Sequence, residues 1–118
     1  MSGSSIPPSI VDIFEAMNAR DADRAASTVT PDIEIVIGPH VTHGVDTIRE
    51  FAVQDDPELE IVITPLGCRD DTDDLLVTVR RSSSWRSGDG PPVEEVSDWR
   101  FRLANDGRID RVVIGRPG

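Results

Sequence analysis

Between Asp32 and Phe51 the chain reads DIEIVIGPHVTHGVDTIREF, and the spacing of its apolar positions changes partway. Ile33, Ile35 and Ile37 alternate with Asp32, Glu34 and Val36, the period of two expected of a strand with one buried face. Gly38 and Pro39 interrupt that strand, and His40 to His43 read as a short loop. Gly44 then precedes a helix in which Val45, Ile48, Phe51 and Ala52 recur three and four apart. This order places two imidazoles at the rim of whatever the strand and helix cover.

The same reading extends along the chain. Pro7, Pro8 and Ser9 supply a helix start, after which Ile10, Ile13, Phe14 and Met17 share one face while Asp12, Glu15 and Asn18 look outward. Asp21 can cap a second helix over Ala22 to Val29, stopped by Thr30-Pro31-Asp32. Both helices are too short to stand alone, so a sheet has to cover them. Leu59 to Leu66, Leu75 to Trp85, Val93 to Leu103 and Ile109 to Ile114 read as its strands. Turns at Asp70 to Asp74, at Ser87 to Pro92 and at Asn105-Asp106-Gly107 separate them. Helices first and an antiparallel meander afterwards give an α+β domain with helices on one face of the sheet.

Composition narrows the function classes. The 118 residues suit a single domain over 1–118, with hydrophobic content of 37% typical of a globular chain. Apolar runs stay far below the about 20 residues that span a bilayer. MSGSSIPPS has neither a charged start nor an apolar stretch, so residues 1–7 read as a disordered tail rather than a signal peptide. A cytoplasmic location follows, and the lone Cys68, which can make no internal disulfide, agrees with it. Twelve basic residues, all arginine, face 22 acidic ones for a net charge of −10, which disfavours nucleic acid and anionic membranes as partners. Acidic clusters at Asp55-Asp56 and Asp70 to Asp74 invite a metal reading, but the second lacks the glycine and terminal glutamate of a calcium loop and reads as a solvated turn. His40 and His43 have no third ligand, so no metal site is expected there, and no cofactor is expected for the chain.

Four pieces in order carry a family resemblance: Met17-Asn18-Ala19-Arg20-Asp21, then Pro31-Asp32 before the strand, then Gly44 with Ile48-Arg49-Glu50-Phe51, and finally the strand pair around Asp106-Gly107-Arg108-Ile109. Together they resemble the nuclear transport factor 2-like superfamily, and within it the small bacterial SnoaL-like and ketosteroid-isomerase-like proteins. The resemblance implies a cone, in which a strongly curved, mostly antiparallel sheet wraps the helices and leaves an apolar pocket at its open end. It also implies a homodimer through the outer sheet face. The scaffold hosts isomerases, cyclases, hydrolases and plain binding modules, so the fold alone assigns no activity. A ketosteroid isomerase needs a loop carboxylate, a tyrosine and a protonated aspartate. This chain has no tyrosine, the loop Gly38 to His43 has no carboxylate, and Trp99 falls near the place of the aspartate. Without tyrosine the limonene-epoxide-hydrolase pattern is unsupported as well.

Strand parity supplies the remaining candidates. If Leu75, Val77 and Val79 face the helices, Arg81, Ser83 and Trp85 follow on the same face. Trp99, Phe101 and Leu103 on the partner strand bring Ser97 and Glu95 to the same side. The ligand-binding candidates are thus Phe14, Met17, Ser83, Trp85, Glu95, Ser97, Trp99 and Phe101, with His40 and Arg81 as catalytic candidates. Each has a plainer reading. His40 is a general base or a solvated loop residue, and His43 braces the helix start. Arg81 either clamps an oxyanion or pairs across the strands with Glu95. Trp85 and Trp99 either stack on a flat ligand or belong to the core. Asp98, Arg100 and Arg102 share the outer face, and Cys68 is a packed, inert thiol. Three functions remain open: a domain binding a small hydrophobic molecule, an isomerase, cyclase or hydrolase acting on a small carbonyl compound with His40 as base and Arg81 as oxyanion stabiliser, and a structural dimer whose pocket is filled.

Overall fold

The computed structural model describes residues 6–53 and 57–115. In chain order the elements are α1 (Pro8–Ala19), α2 (Ala22–Ser27), β1 (Val29–Ile37), β2 (His40–His43), α3 (Val45–Val53), β3 (Leu59–Asp71), β4 (Asp74–Trp85), β5 (Val93–Leu103) and β6 (Ile109–Ile114). The strands form one curved sheet in the order β2-β1-β6-β5-β4-β3. Every neighbouring pair is antiparallel except β1 and β6, which run parallel.

Helix α1 follows its apolar spacing. Ile10, Ile13, Phe14, Ala16 and Met17 are buried, and Pro8 occupies the first turn, where its missing N–H costs nothing. At the other end Arg20 takes a left-handed conformation with φ 58°. The Asp21 N–H reaches Ala16 O at 2.9 Å and the Arg20 N–H reaches Met17 O at 3.3 Å, so two terminal carbonyls are satisfied and the exit is fixed. Asp21 then caps α2 by accepting from Arg24 N at 3.1 Å. Helix α2 stops at Ser27 rather than at Val29, because Val29 opens β1 opposite Ile109, and the Ile109 N–H binds Thr28 O at 2.8 Å. The strand at 33–37 therefore begins four residues earlier than its alternation indicates, with an irregularity between Val29 and Glu34 that accommodates Pro31.

Two further boundaries differ from the sequence reading. His40 to His43 form a strand, not a loop: they pair antiparallel with β1, His40 opposite Ile37 and His43 opposite Glu34. Strand β3 continues past Leu66 to Asp71, carried over a bulge between Pro65 and Gly67, so the turn into β4 shrinks to Thr72-Asp73. Of the tail expected over 1–7, Ile6 packs against the core while residues 1–5 lie outside the described residues, as do Asp55 and Asp56.

The core lies between the helices and the inner sheet face. Ile33 and Ile35 from β1, Val77 and Val79 from β4, Trp99 and Phe101 from β5, and Ile109 and Val112 from β6 meet Phe14 and Met17 of α1 and Ile48 and Ala52 of α3. The outer face carries ion pairs: Arg111 Nε to Glu34 at 2.8 Å, Arg102 Nε to Asp110 at 2.7 Å, and Arg100 to Asp71. Val62, Leu66 and Val96 remain exposed.

Candidate functional site

Strands β4 and β5 stay in register from Leu75 opposite Phe101 to Ser83 opposite Val93, so the inner face continues without a slip from the core out to the sheet end. Exposure rises along it. Phe14 and Phe101 are 1% exposed, Met17 and Trp99 are at 9%, Ser97, Glu95 and Ser83 are half-buried, and Trp85 reaches 47%. The face thus passes from packed aromatic floor to open polar rim.

The floor is three rings. Phe14 lies 5.3 Å from Trp99, tilted at 44°, and 6.0 Å from Phe101, edge on, while Trp99 and Phe101 are 6.3 Å apart. Trp99 does not bury its polar atom unpaired, since Nε1 donates to Ser97 Oγ at 3.2 Å, two residues along the same face. That bond tips the indole toward the rim. There Arg81 stands opposite Glu95, with Nη1 3.7 Å from Oε2, and Ser83 Oγ reaches Val93 O at 3.5 Å.

The two catalytic candidates are not brought together. His40 is exposed on β2 at the sheet edge, and β1, β6 and β5 lie between β2 and β4, which carries Arg81. Four strand spacings amount to about 19 Å along the sheet. His43 does not brace α3. As the partner of Glu34 it shares the outer face, with Nε2 3.7 Å from Glu34 Oε2, and the residue contacting the strand ahead of α3 is Gly44, whose N–H binds Ile33 O at 2.9 Å. Among the described residues no group of three or more His, Cys, Asp or Glu converges as a metal site would require.

Cys68 is buried on the inner face opposite Val77, where desolvation and then the charge of Asp70 push its thiol up. Two clefts border other parts of the fold. One of about 380 Å³ is lined by Pro57, Glu58, Trp85, Arg86 and Ser87 at the sheet end. The other, of about 430 Å³, lies between the start of α1 and the β5–β6 turn and is lined in part by Pro7, Ser9, Leu103 and Arg108. Neither includes His40 or Arg81.

One side chain escapes the sequence reading. Asn18 faces outward on α1, yet it donates from Nδ2 to Ile63 O at 2.8 Å and accepts from Ile63 N at Oδ1, 2.9 Å away. Its partner lies 45 residues along the chain, so no local pattern announces it.

Comparison with known proteins agrees with this geometry. A protein of unknown function from Exiguobacterium sp. 255-15, called NTF2-like, superposes with a TM-score of 0.72 at 17% identity, covering 93% of this chain and 98% of that one. A protein from Catenulispora acidiphila with a ketosteroid isomerase-like fold, solved with trimethylamine, gives 0.75 at 12% identity over 92% and 85% of the two chains. A putative polyketide cyclase from Sinorhizobium meliloti gives 0.68 at 28% identity over 92% and 94%. No curated protein matches the sequence. The family model described as SnoaL-like domain matches residues 10–112, nearly the whole chain, and the protein therefore belongs to the SnoaL-like domain family within the NTF2-like fold.

Proposed function

We propose that this SnoaL-like domain binds a small hydrophobic molecule on its inner face, with the aromatic floor of Phe14, Trp99 and Phe101 beneath it and the rim residues Arg81, Ser83, Trp85, Glu95 and Ser97 around its polar end. The observation that carries this reading is the state of the two titratable candidates. Arg81 faces Glu95 across the ladder and His40 is exposed four strands away, so these two do not converge on one reacting atom. A floor of rings with a few polar groups at one end suits orientation of a flat apolar ligand. The outer face supports a homodimer: Val62, Leu66 and Val96 are exposed there beside charged residues of both signs.

A second reading draws on the Sinorhizobium meliloti protein of 28% identity, a putative polyketide cyclase. On that reading His40 would act as base and Arg81 would stabilise an oxyanion on a compact carbonyl substrate. One experiment separates the two: quenching of Trp85 and Trp99 fluorescence by a panel of flat hydrophobic carbonyl compounds, with product analysis, in wild type and His40→Ala. Equal saturable binding without turnover supports the binder. Turnover by wild type that His40→Ala abolishes while still binding would establish the enzyme, and absence of binding across a broad panel would leave the structural dimer.

A further inference from the structure

We propose that Asn18 is a latch, holding the edge strand β3 to the end of α1 and so keeping that side of the route to the aromatic floor closed. The carboxamide meets one residue of β3 twice, Nδ2 giving to Ile63 O at 2.8 Å and Oδ1 taking from Ile63 N at 2.9 Å. Strand β3 is outermost in the sheet, and among the described residues β4 is its one strand neighbour. The free edge of Ile63 would otherwise face water, and Asn18 stands in for the residue of a missing partner strand. Pro65, two residues on and so on the same edge, has no N–H to offer.

Placement makes this more than an edge repair. Ile63 is opposite Arg81, and Arg81 is opposite Glu95, so the latch lies level with the rim pair. On α1 it directly follows Met17, which is buried within the core cluster that holds Phe14 and Trp99. The left-handed Arg20 and the Asp21 N–H to Ala16 O bond fix the helix exit, so the Asn18 backbone is held. Both latch bonds belong to one exposed side chain, and a single rotamer change breaks them together. Unlatching would part β3 from α1 without disturbing the β3–β4 ladder, uncovering Trp99 from the side.

The test uses no ligand, so its result is independent of the binding reading. In a Trp85→Phe background Trp99 is the single indole, because the chain has two tryptophans. Asn18→Ala removes both bonds, and Asn18→Asp keeps the size but sets a carboxylate against Ile63 O. Three quantities are read: Ile63 amide exchange, acrylamide quenching of Trp99, and the urea midpoint. The latch predicts Ile63 exchange faster by about tenfold and Trp99 quenching higher by about threefold in Asn18→Ala, with the urea midpoint nearly unmoved. Asn18→Asp should move both local readouts in the same direction. Unchanged exchange at Ile63 would show that the bonds do not form in solution. Faster exchange with unchanged quenching would show that they close nothing. A fall in the urea midpoint with all amides accelerating in step, in either variant, would make Asn18 an ordinary structural residue. Each of these three results overturns the proposal.

Discussion

Arg81 and Glu95 face each other on β4 and β5 with Nη1 3.7 Å from Oε2, their side chains 44% and 41% exposed. At that distance the pair is electrostatic without being a hydrogen bond, and solvent screens it. Its stability contribution is expected to be small, so either Arg81→Ala or Glu95→Ala should shift unfolding free energy by no more than about 0.5 kcal/mol. Binding should separate the two. Loss of the guanidinium is expected to weaken a carbonyl ligand by about tenfold, while loss of the carboxylate should leave affinity equal or higher. Urea titration together with tryptophan quenching checks both, and a large stability loss in either variant would make the pair a structural element instead.

The aromatic floor gives the opposite expectation. Phe14 is 1% exposed and touches both other rings, so Phe14→Ala removes a filled volume that rigid neighbours cannot close. The cost should be about 3–5 kcal/mol. The space left would be apolar, and benzene should raise the melting temperature of the variant more than that of wild type. A loss below about 1 kcal/mol would mean that Phe14 lines an already open space rather than packing it.

Thr72 has φ 59° at the first position of the two-residue turn between Asp71 and Asp74. A β-branched side chain is strained there, and glycine is the residue such a turn favours. Thr72→Gly is therefore expected to stabilise by roughly 0.5–1 kcal/mol, and calorimetry should find a melting temperature higher by about 2–5 °C. An unchanged or lower value would show that the turn relaxes the strain elsewhere.

Cys68 offers an unusual window on alkaline stability. Burial, then Asp70, raises its thiol above the ordinary 9.0, so the folded state holds the proton more tightly than the unfolded state. The contribution is fully present below the unfolded value and is lost as pH rises through the folded one. The chain has no tyrosine, and its 12 basic residues are all arginine, so from pH 9 upward no other side chain titrates until arginine does. Stability should decline there in wild type and stay flatter in Cys68→Ala. A decline of equal slope in both proteins would remove Cys68 as its cause.

How far the sequence reached depends on how local each signal is. The face of α1, the helix at Val45 and the β4–β5 register follow from spacing within one element and a hairpin, so Arg81 opposite Glu95 could be anticipated as one of two readings. Strand β2 could not. HVTH is four residues without apolar alternation, and it is a strand because β1 is beside it. The parallel pairing of β1 with β6 joins residues such as Glu34 and Arg111, 77 positions apart, and leaves no periodic trace. Asn18 is the sharpest case at the site. Its polarity places it outside the core, which is correct, but the backbone edge it satisfies exists only once β3 is outermost in the sheet.

The proposed ligand site on the inner face has Trp99 in its floor and engages no catalytic base. The most direct measurement follows the two tryptophan indole N–H signals by nitrogen-edited NMR while a flat hydrophobic carbonyl compound is added, with the compound itself monitored for conversion. The Trp99 Nε1–H, held by Ser97 Oγ at 3.2 Å, should shift and saturate, and the compound should be recovered unchanged. A Trp99 signal that stays fixed while the compound binds elsewhere, or conversion that His40→Ala abolishes, would contradict the proposed binding site.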